Sequence, residues 1–227
     1  DTLLKKNGKH IPGTAWRRDP LGPHFQTNFI WGQRFLQISM ALPDHQGCSQ
    51  SRAIPIDFHH CPSVKKPRKK DSEQEWKNYR EQQRKLKLSK QGSDRLKQLR
   101  SALDKQGVNE KQLIVSVDGS YTNEEVLKNL PERVTLIGRI RKDTKLYLGP
   151  EKQPDIGRKR VYGDRLPTPE QVRQSDQYPW QEVNAWAAGK EHKFNVKVIK
   201  NTRWRSAGLR HNLQLVVIRP LGYRLTK

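Results

Sequence analysis

Asp118 is the residue whose type and setting most directly offer chemistry. It follows the β-branched run Leu113–Val117 (LIVSV) and precedes Gly119. A carboxylate at the carboxyl end of a buried strand lies where open α/β sheets place ligands and metal ions. Asp-Gly is also a strong turn pair, and the residues alone leave both readings open. Asp1, followed by Thr2 and an extended stretch, gains meaning only as part of a motif. His45, Cys48, His59, His60 and Cys61 carry metal-ligating side chains, but the cysteines stand thirteen apart with no C-x2-C pair. They read better as strand-end and loop residues. The chain has no G-x-x-x-x-G-K-[ST], no G-x-G-x-x-G after a strand and no G-x-S-x-G. P-loop nucleotide hydrolysis and serine-esterase chemistry are therefore disfavoured.

A second set of residues suits a polyanion. Lys65, Lys66, Arg68, Lys69 and Lys70 form the run KKPRKK, which reads as a phosphate-contacting patch, a localisation tract or a solvated surface. Arg203, Trp204, Arg205 and Arg210 lie within NTRWRSAGLR. An indole between guanidiniums suits stacking on a base with phosphate clamping, and equally a strand aromatic covered by arginine stems. Across 227 residues, 45 Lys and Arg stand against 23 Asp and Glu, a formal charge of +22. That excess points to nucleic acid as partner. Hydrophobic residues make up 33% of the chain, enough for a thin core. No apolar stretch approaches the roughly 18 residues of a membrane span. The two cysteines make no disulfide framework, which favours a reducing cytoplasm.

The elements that must position these groups read as α/β. Phe29–Leu42 and Ala53–Phe58 form strands, with Pro55 marking an edge, and Lys5–Phe25 reads as loop. Ser72 and Glu75 make a capping-box signature. The charged stretch from there to Gln106 reads as two helices jointed at Gly92 and Ser93. Leu96, Leu99 and Leu103 give the second an apolar stripe, and Gly107 ends it. Leu113–Val117 reads as a strand buried on both faces. A helix over Asn123–Leu130, capped by Thr122 or Asn123, leads to a strand over Val134–Ile140, with Leu146–Leu148 as a hairpin return. Pro150–Trp180 reads as an irregular excursion, followed by strands at Phe194–Ile199 and Leu213–Ile218.

Four segments in this order carry a resemblance to the DDE transposases of bacterial insertion sequences. DTLLKKNGKHIPGT resembles the first-aspartate motif, and WGQRFLQISMALP the strand after it. LIVSVDGSYTN resembles the second-aspartate motif, and VTLIGRIRKDTKLY the strand leading to the family's insertion. The resemblance implies an α/β, ribonuclease H-like mixed sheet with flanking helices and a β-rich insertion towards the C-terminus. Residues 1–148 would form the core, including a helical segment at 72–107, and residues 149–227 the insertion. Asp1 and Asp118 match the two catalytic aspartates, which in such enzymes bind two divalent ions. Mg²⁺ is the usual ion, and Mn²⁺ could replace it. The implied partners are DNA, as transposon ends and target, and a second copy in a synaptic complex. The implied setting is the nucleoid of a bacterial cytoplasm.

The family's third carboxylate, a glutamate in a W-x-I-E-x-x-F-R-x-x-K-like context, has no match here. Glu182, near Trp180, sits in a different context and is not assigned. The chain starts at Asp1 and its only methionine is Met40, so the expectation is a piece of a longer product. As a fragment it is expected to be inactive and poorly stable on its own. Two other readings stay open: a basic nucleic-acid-binding protein with structural aspartates, and a ribonuclease H-like nuclease that only hydrolyses.

Overall fold

The computed structural model describes residues 1–8, 10–19, 21–23, 25–43, 51–151, 156–187, 190–208 and 211–220. The chain divides into two units, Asp1–Gln98 and Leu99–Lys227.

The first unit is built on one long strand. β3 (Phe29–Pro43) pairs antiparallel with β1 (Thr2–Lys5), β2 (Ala15–Arg18) and β4 (Ser51–His60). Gly32 pairs with both Lys5 and Ala15, and Phe35 with both Thr2 and His60. β1 therefore occupies one edge of β3, while β2 and β4 follow one another along the opposite edge. Side chains alternate across a strand. Arg34 and Leu36 share one face, and Trp31 and Phe35 the other. On that second face Trp16 packs against Trp31 at 5.6 Å between centroids, and Phe58 stacks on Phe35 at 4.6 Å. β2 corrects the reading of Lys5–Phe25 as loop. Its four residues are ordered by the ladder to Phe29–Gly32 and carry no strand signal of their own. Pro55 stands opposite Ser39, next to a shift of register between Ile38 and Ser39. A residue without an N–H is tolerated at such an irregularity.

Helix α1 (Glu73–Lys85) begins at Ser72, whose side chain accepts the Glu75 N–H while the Glu75 carboxylate accepts from the Ser72 N–H. Helix α2 (Leu88–Lys105) follows after Leu86 and Lys87. The joint thus lies there, and not at Gly92–Ser93. Those two residues sit inside α2 with Ser89, all buried on one side of the helix. Gln91 holds the joint. Its amide donates to the Leu86 carbonyl at 2.7 Å, and its Oε1 meets His59 Nε2 at 3.0 Å. Gly107, at φ 78°, closes α2, with Val108 N–H on the Leu103 carbonyl at 3.0 Å and Gly107 N–H on Asp104 at 3.1 Å. That is the Schellman arrangement, which favours glycine at the left-handed position.

In the second unit β5 (Leu113–Val117) runs parallel to β6 (Val134–Gly138), with α3 (Glu124–Lys128) between them. β5 is not buried on both faces. Ile114 and, on β6, Ile137 are 66% and 56% exposed, because this sheet has only two strands among the described residues. β7 (Tyr147–Leu148), β8 (Gln181–Ala187), β9 (Lys190–Arg203) and β10 (Leu213–Pro220) form a separate antiparallel sheet. β9 is central, with β10 on one edge and β8 then β7 on the other. Leu146–Leu148 is therefore no return to β6, since Tyr147 and Leu148 pair with Arg203 and Thr202. Helix α4 (Pro169–Gln174) interrupts the expected excursion, capped by Thr168 in a second capping box. Leu146, Leu166, Val172, Ile199 and Leu215 form the buried cluster of this unit.

Candidate functional site

Asp118 leaves β5 at its carboxyl end and is exposed. Its Oδ1 accepts the Ser120 N–H at 2.8 Å, and its carbonyl accepts from Tyr121 N–H at 3.3 Å and Thr122 Oγ1 at 3.1 Å. The Asp-Gly turn is therefore formed, and the carboxylate stands just beyond the end of the strand. Asn123 then caps α3 through its Oδ1, which accepts from Val126 N–H at 3.2 Å. The turn packs closely on the end of β6. Gly138 has no room for a Cβ, which would collide with the Thr122 side chain. Because Val117 pairs with Gly138 in parallel, the next residue of each strand, Asp118 and Arg139, leaves from the same end of the sheet. Arg139, Arg141 and Lys142, all exposed, make this end basic. The sequence reading missed them, although RIRK is a visible cluster directly after the strand.

Asp1 belongs to the first unit and Asp118 to the second. Asp1 precedes β1, and its Oδ2 lies 3.2 Å from Arg34 Nε. Arg17 donates from Nη2 to the Cys61 carbonyl at 3.1 Å, and the Cys61 N–H donates to the Arg34 carbonyl at 2.8 Å. Burial lowers the Arg17 pKa, helped by the neighbouring charge of Arg34, and burial pushes the Cys61 thiol up.

Lys65, Lys66, Arg68, Lys69 and Lys70 are all exposed ahead of α1. Arg68 N–H and Asp71 Oδ2 close the turn at 2.7 Å, and Lys66 Nζ stands 5.9 Å from the centre of the Trp76 ring. In the other basic segment Arg203 Nη1 donates to the His211 carbonyl at 3.2 Å. Trp204 packs against the buried cluster of its unit. Arg205 lies over the rings of Tyr147 and Tyr162, 5.1 and 5.8 Å from their centres. Arg210, His45 and Cys48 fall outside the described residues. His59 is engaged by Gln91 and Cys61 is buried. Among the described residues no three of His, Cys, Asp and Glu gather where they could hold a metal.

One family model, described as DDE superfamily endonuclease, matches residues 1–214. The chain belongs to this family. No curated protein and no solved structure gives a significant match. Membership in the DDE superfamily supports an enzymatic nuclease role, with DNA as the implied substrate and divalent metals in general use. The match takes in Asp1, Asp118 and the first basic run together. The donor chemistry of the two aspartates fits a hard cation, since carboxylate oxygens are what Mg²⁺ and its relatives prefer. At Asp118 the Ser120 N–H fixes the direction of the carboxylate and leaves Oδ2 without a hydrogen bond among the described residues. No helix among the described residues is long and apolar enough to cross a membrane.

Proposed function

We propose that this chain is catalytic-domain sequence of an insertion-sequence DNA transposase, with Asp1 and Asp118 as its metal-binding carboxylates. The observation that carries the reading is Asp118: an exposed carboxylate, held by a main-chain N–H, at the carboxyl end of a parallel strand pair in a DDE-family chain. The antiparallel strands around β3 and the parallel β5–β6 pair are the elements proposed for a ribonuclease H-like core, residues 1–148. The β8–β10 strands are proposed as the insertion of residues 149–227. When bound, two divalent ions, Mg²⁺ or Mn²⁺, would supply paired Lewis acids for the attacking and departing oxygens of an in-line phosphoryl transfer.

The protein's own groups set the conditions for that chemistry. Asp1 and Asp118 supply the oxygen ligands, and Ser120 orients the second of them. Lys65, Lys66, Arg68, Lys69, Lys70, Arg203, Arg205 and Arg210 are proposed to neutralise backbone phosphates regardless of sequence. Trp204, packed from beneath, is proposed to back the two arginines that flank it. The proposed reaction is cleavage at an element end followed by attack of the freed 3′-hydroxyl on target DNA. Two copies would act in a synaptic complex, in the nucleoid of a bacterial cytoplasm. These 227 residues are expected not to turn over by themselves, because the family pattern adds a glutamate that neither Asp1 nor Asp118 replaces. The family description as endonuclease also favours a second reading, hydrolysis without joining. Products longer than the substrate strand separate the two.

The first test is Mn²⁺ binding, followed by the loss of the free-ion EPR signal. Asp118→Asn is expected to weaken binding about tenfold or more, in line with disruption of a metal's ligand surroundings. Equal binding by the variant and the parent chain would refute the assignment.

A further inference from the structure

One face of the first sheet, between Cys61 and Asp1, carries a charge imbalance. β2 ends its pairing with β3 at Ala15–Gly32, and β4 at His60–Phe35. In the gap between them the Cys61 N–H reaches β3 at the Arg34 carbonyl. Arg17 and Arg34 lie on the same face of the sheet, one bonded to the Cys61 carbonyl and the other within 3.2 Å of Asp1. Each guanidinium has a buried Nε with no hydrogen-bond partner among the described residues, and at Arg34 the approach of Asp1 is close but lacks hydrogen-bond alignment. The outer part of Arg34 stays accessible, with 28% of its side chain exposed. Arg34 thus meets the Asp1 carboxylate, while Arg17 is bonded only to a main-chain carbonyl among the described residues.

Such a pair is costly unless an anion completes it. Removing cations from water is unfavourable, and like charges side by side add to the cost. The lowered pKa of Arg17, caused by burial and by Arg34, is another sign of this strain. Guanidiniums present planar N–H pairs that match the oxygens of a phosphodiester, which an ammonium cannot do. A solvated structural arginine would turn its donors to water or carbonyls. Here one carbonyl and one misaligned carboxylate leave both Nε groups unserved.

We propose that Arg17 and Arg34 bind a backbone phosphate of DNA beside Asp1. The inference rests on the reading of this chain as a DNA-processing enzyme, and it extends the DNA contacts to a face of the first sheet that no basic run in the sequence marks. The pair grips the strand without regard to base, and it sets the position of the phosphodiester against the first aspartate.

The test uses the 227-residue chain in EDTA, so that metal binding plays no part. Affinity for a short DNA duplex is measured by fluorescence anisotropy over a fourfold rise in salt. Loss of one phosphate contact lowers the slope of log K against log salt by about 0.9. The Arg17→Gln/Arg34→Gln chain should therefore lose about 3.5-fold less affinity than the parent over that range. Arg17→Lys/Arg34→Lys should keep the parent slope, because the charge remains, while binding more weakly than the parent. An unchanged slope in the Gln variant, with the parent still binding DNA, overturns this proposal and leaves the DNA reading standing. A parent chain that does not bind DNA overturns both. If the Gln variant does not fold, the parent's ¹⁵N-labelled arginine Nε–Hε resonances are followed during addition of inorganic phosphate. Saturable shifts of the Arg17 and Arg34 signals, assigned from the single Lys variants, support the pair. Unmoved signals refute it.

Discussion

The Cys61 thiol lies just beyond β4, 3% exposed, and its Sγ is 3.7 Å from the His59 carbonyl. Burial raises its pKa despite the pull of Arg17 and Arg34 towards the thiolate. A protonated buried thiol is a poor nucleophile. In a Cys48→Ser background at mildly alkaline pH, Cys61 should react with an aromatic disulfide reagent about tenfold or more slowly than in denaturant. Equal rates would show that the thiol is open. The linkage has a definite sign. The folded thiol holds its proton more firmly than the unfolded one, so its contribution to stability is complete below the unfolded-state value and fades as pH rises through the folded one. Asp118 shows the opposite setting at another strand end. It is exposed and held by one N–H, so its second oxygen is open. Its placement could be read from LIVSVDG, because strand, break and turn are encoded within seven neighbouring residues. The Arg17–Arg34 pair could not, because strand register, and no local pattern, brings residues seventeen apart to the same face of the sheet.

At the scale of elements, α4 depends on a residue from β9. Lys197, 1% exposed, donates from Nζ to the carbonyls of Val172, Arg173 and Ser175 at 3.1, 3.2 and 2.7 Å. The Trp180 ring centre is 4.4 Å from the same ammonium. The last carbonyls of a helix lack donors of their own, and a cation there also meets the negative end of the dipole. Lys197→Met should cost about 2 kcal/mol through these carbonyls, visible as a lower urea midpoint for the second unit. A change within error would mean that water serves them as well. Nothing in FNVKVI announces this lysine as buried, since its partners come from a helix more than twenty residues earlier. Local signals fared better. The capping box at Ser72 fixed the start of α1, and Gly107 fixed the end of α2. The helix joint failed because Gly92 and Ser93 are buried within α2 and mark no bend. β2 failed because four residues acquire strand conformation only from their partner. Thr168 with Gln171 was a readable cap that the sequence reading passed over.

Across the whole molecule the excess of +22 charges is distributed over both units, each of which also holds one of the two aspartates proposed as metal ligands. Charge of this size makes association with DNA long-ranged and salt-sensitive, but by itself it selects no binding face. The exposed run Lys65, Lys66, Arg68, Lys69 and Lys70 offers the sharpest separation of a grip on DNA from mere solvation. Each phosphate neutralised contributes about 0.9 to the salt slope. Replacing all five by Gln should lower that slope by up to about 4.5 if every one touches the backbone. The loss should be equal for unrelated duplexes, because phosphate contacts carry no base information. α1 itself begins after the run, at a cap made by Ser72 and Glu75, so the helical circular dichroism should persist in the variant. A slope that stays at the parent value while the helix remains intact would assign the run to solvent. Binding would then have to come from the remaining basic groups: Arg203, Arg205 and Arg210, the Arg139, Arg141 and Lys142 cluster at the Asp118 end of the parallel pair, or the Arg17–Arg34 pair.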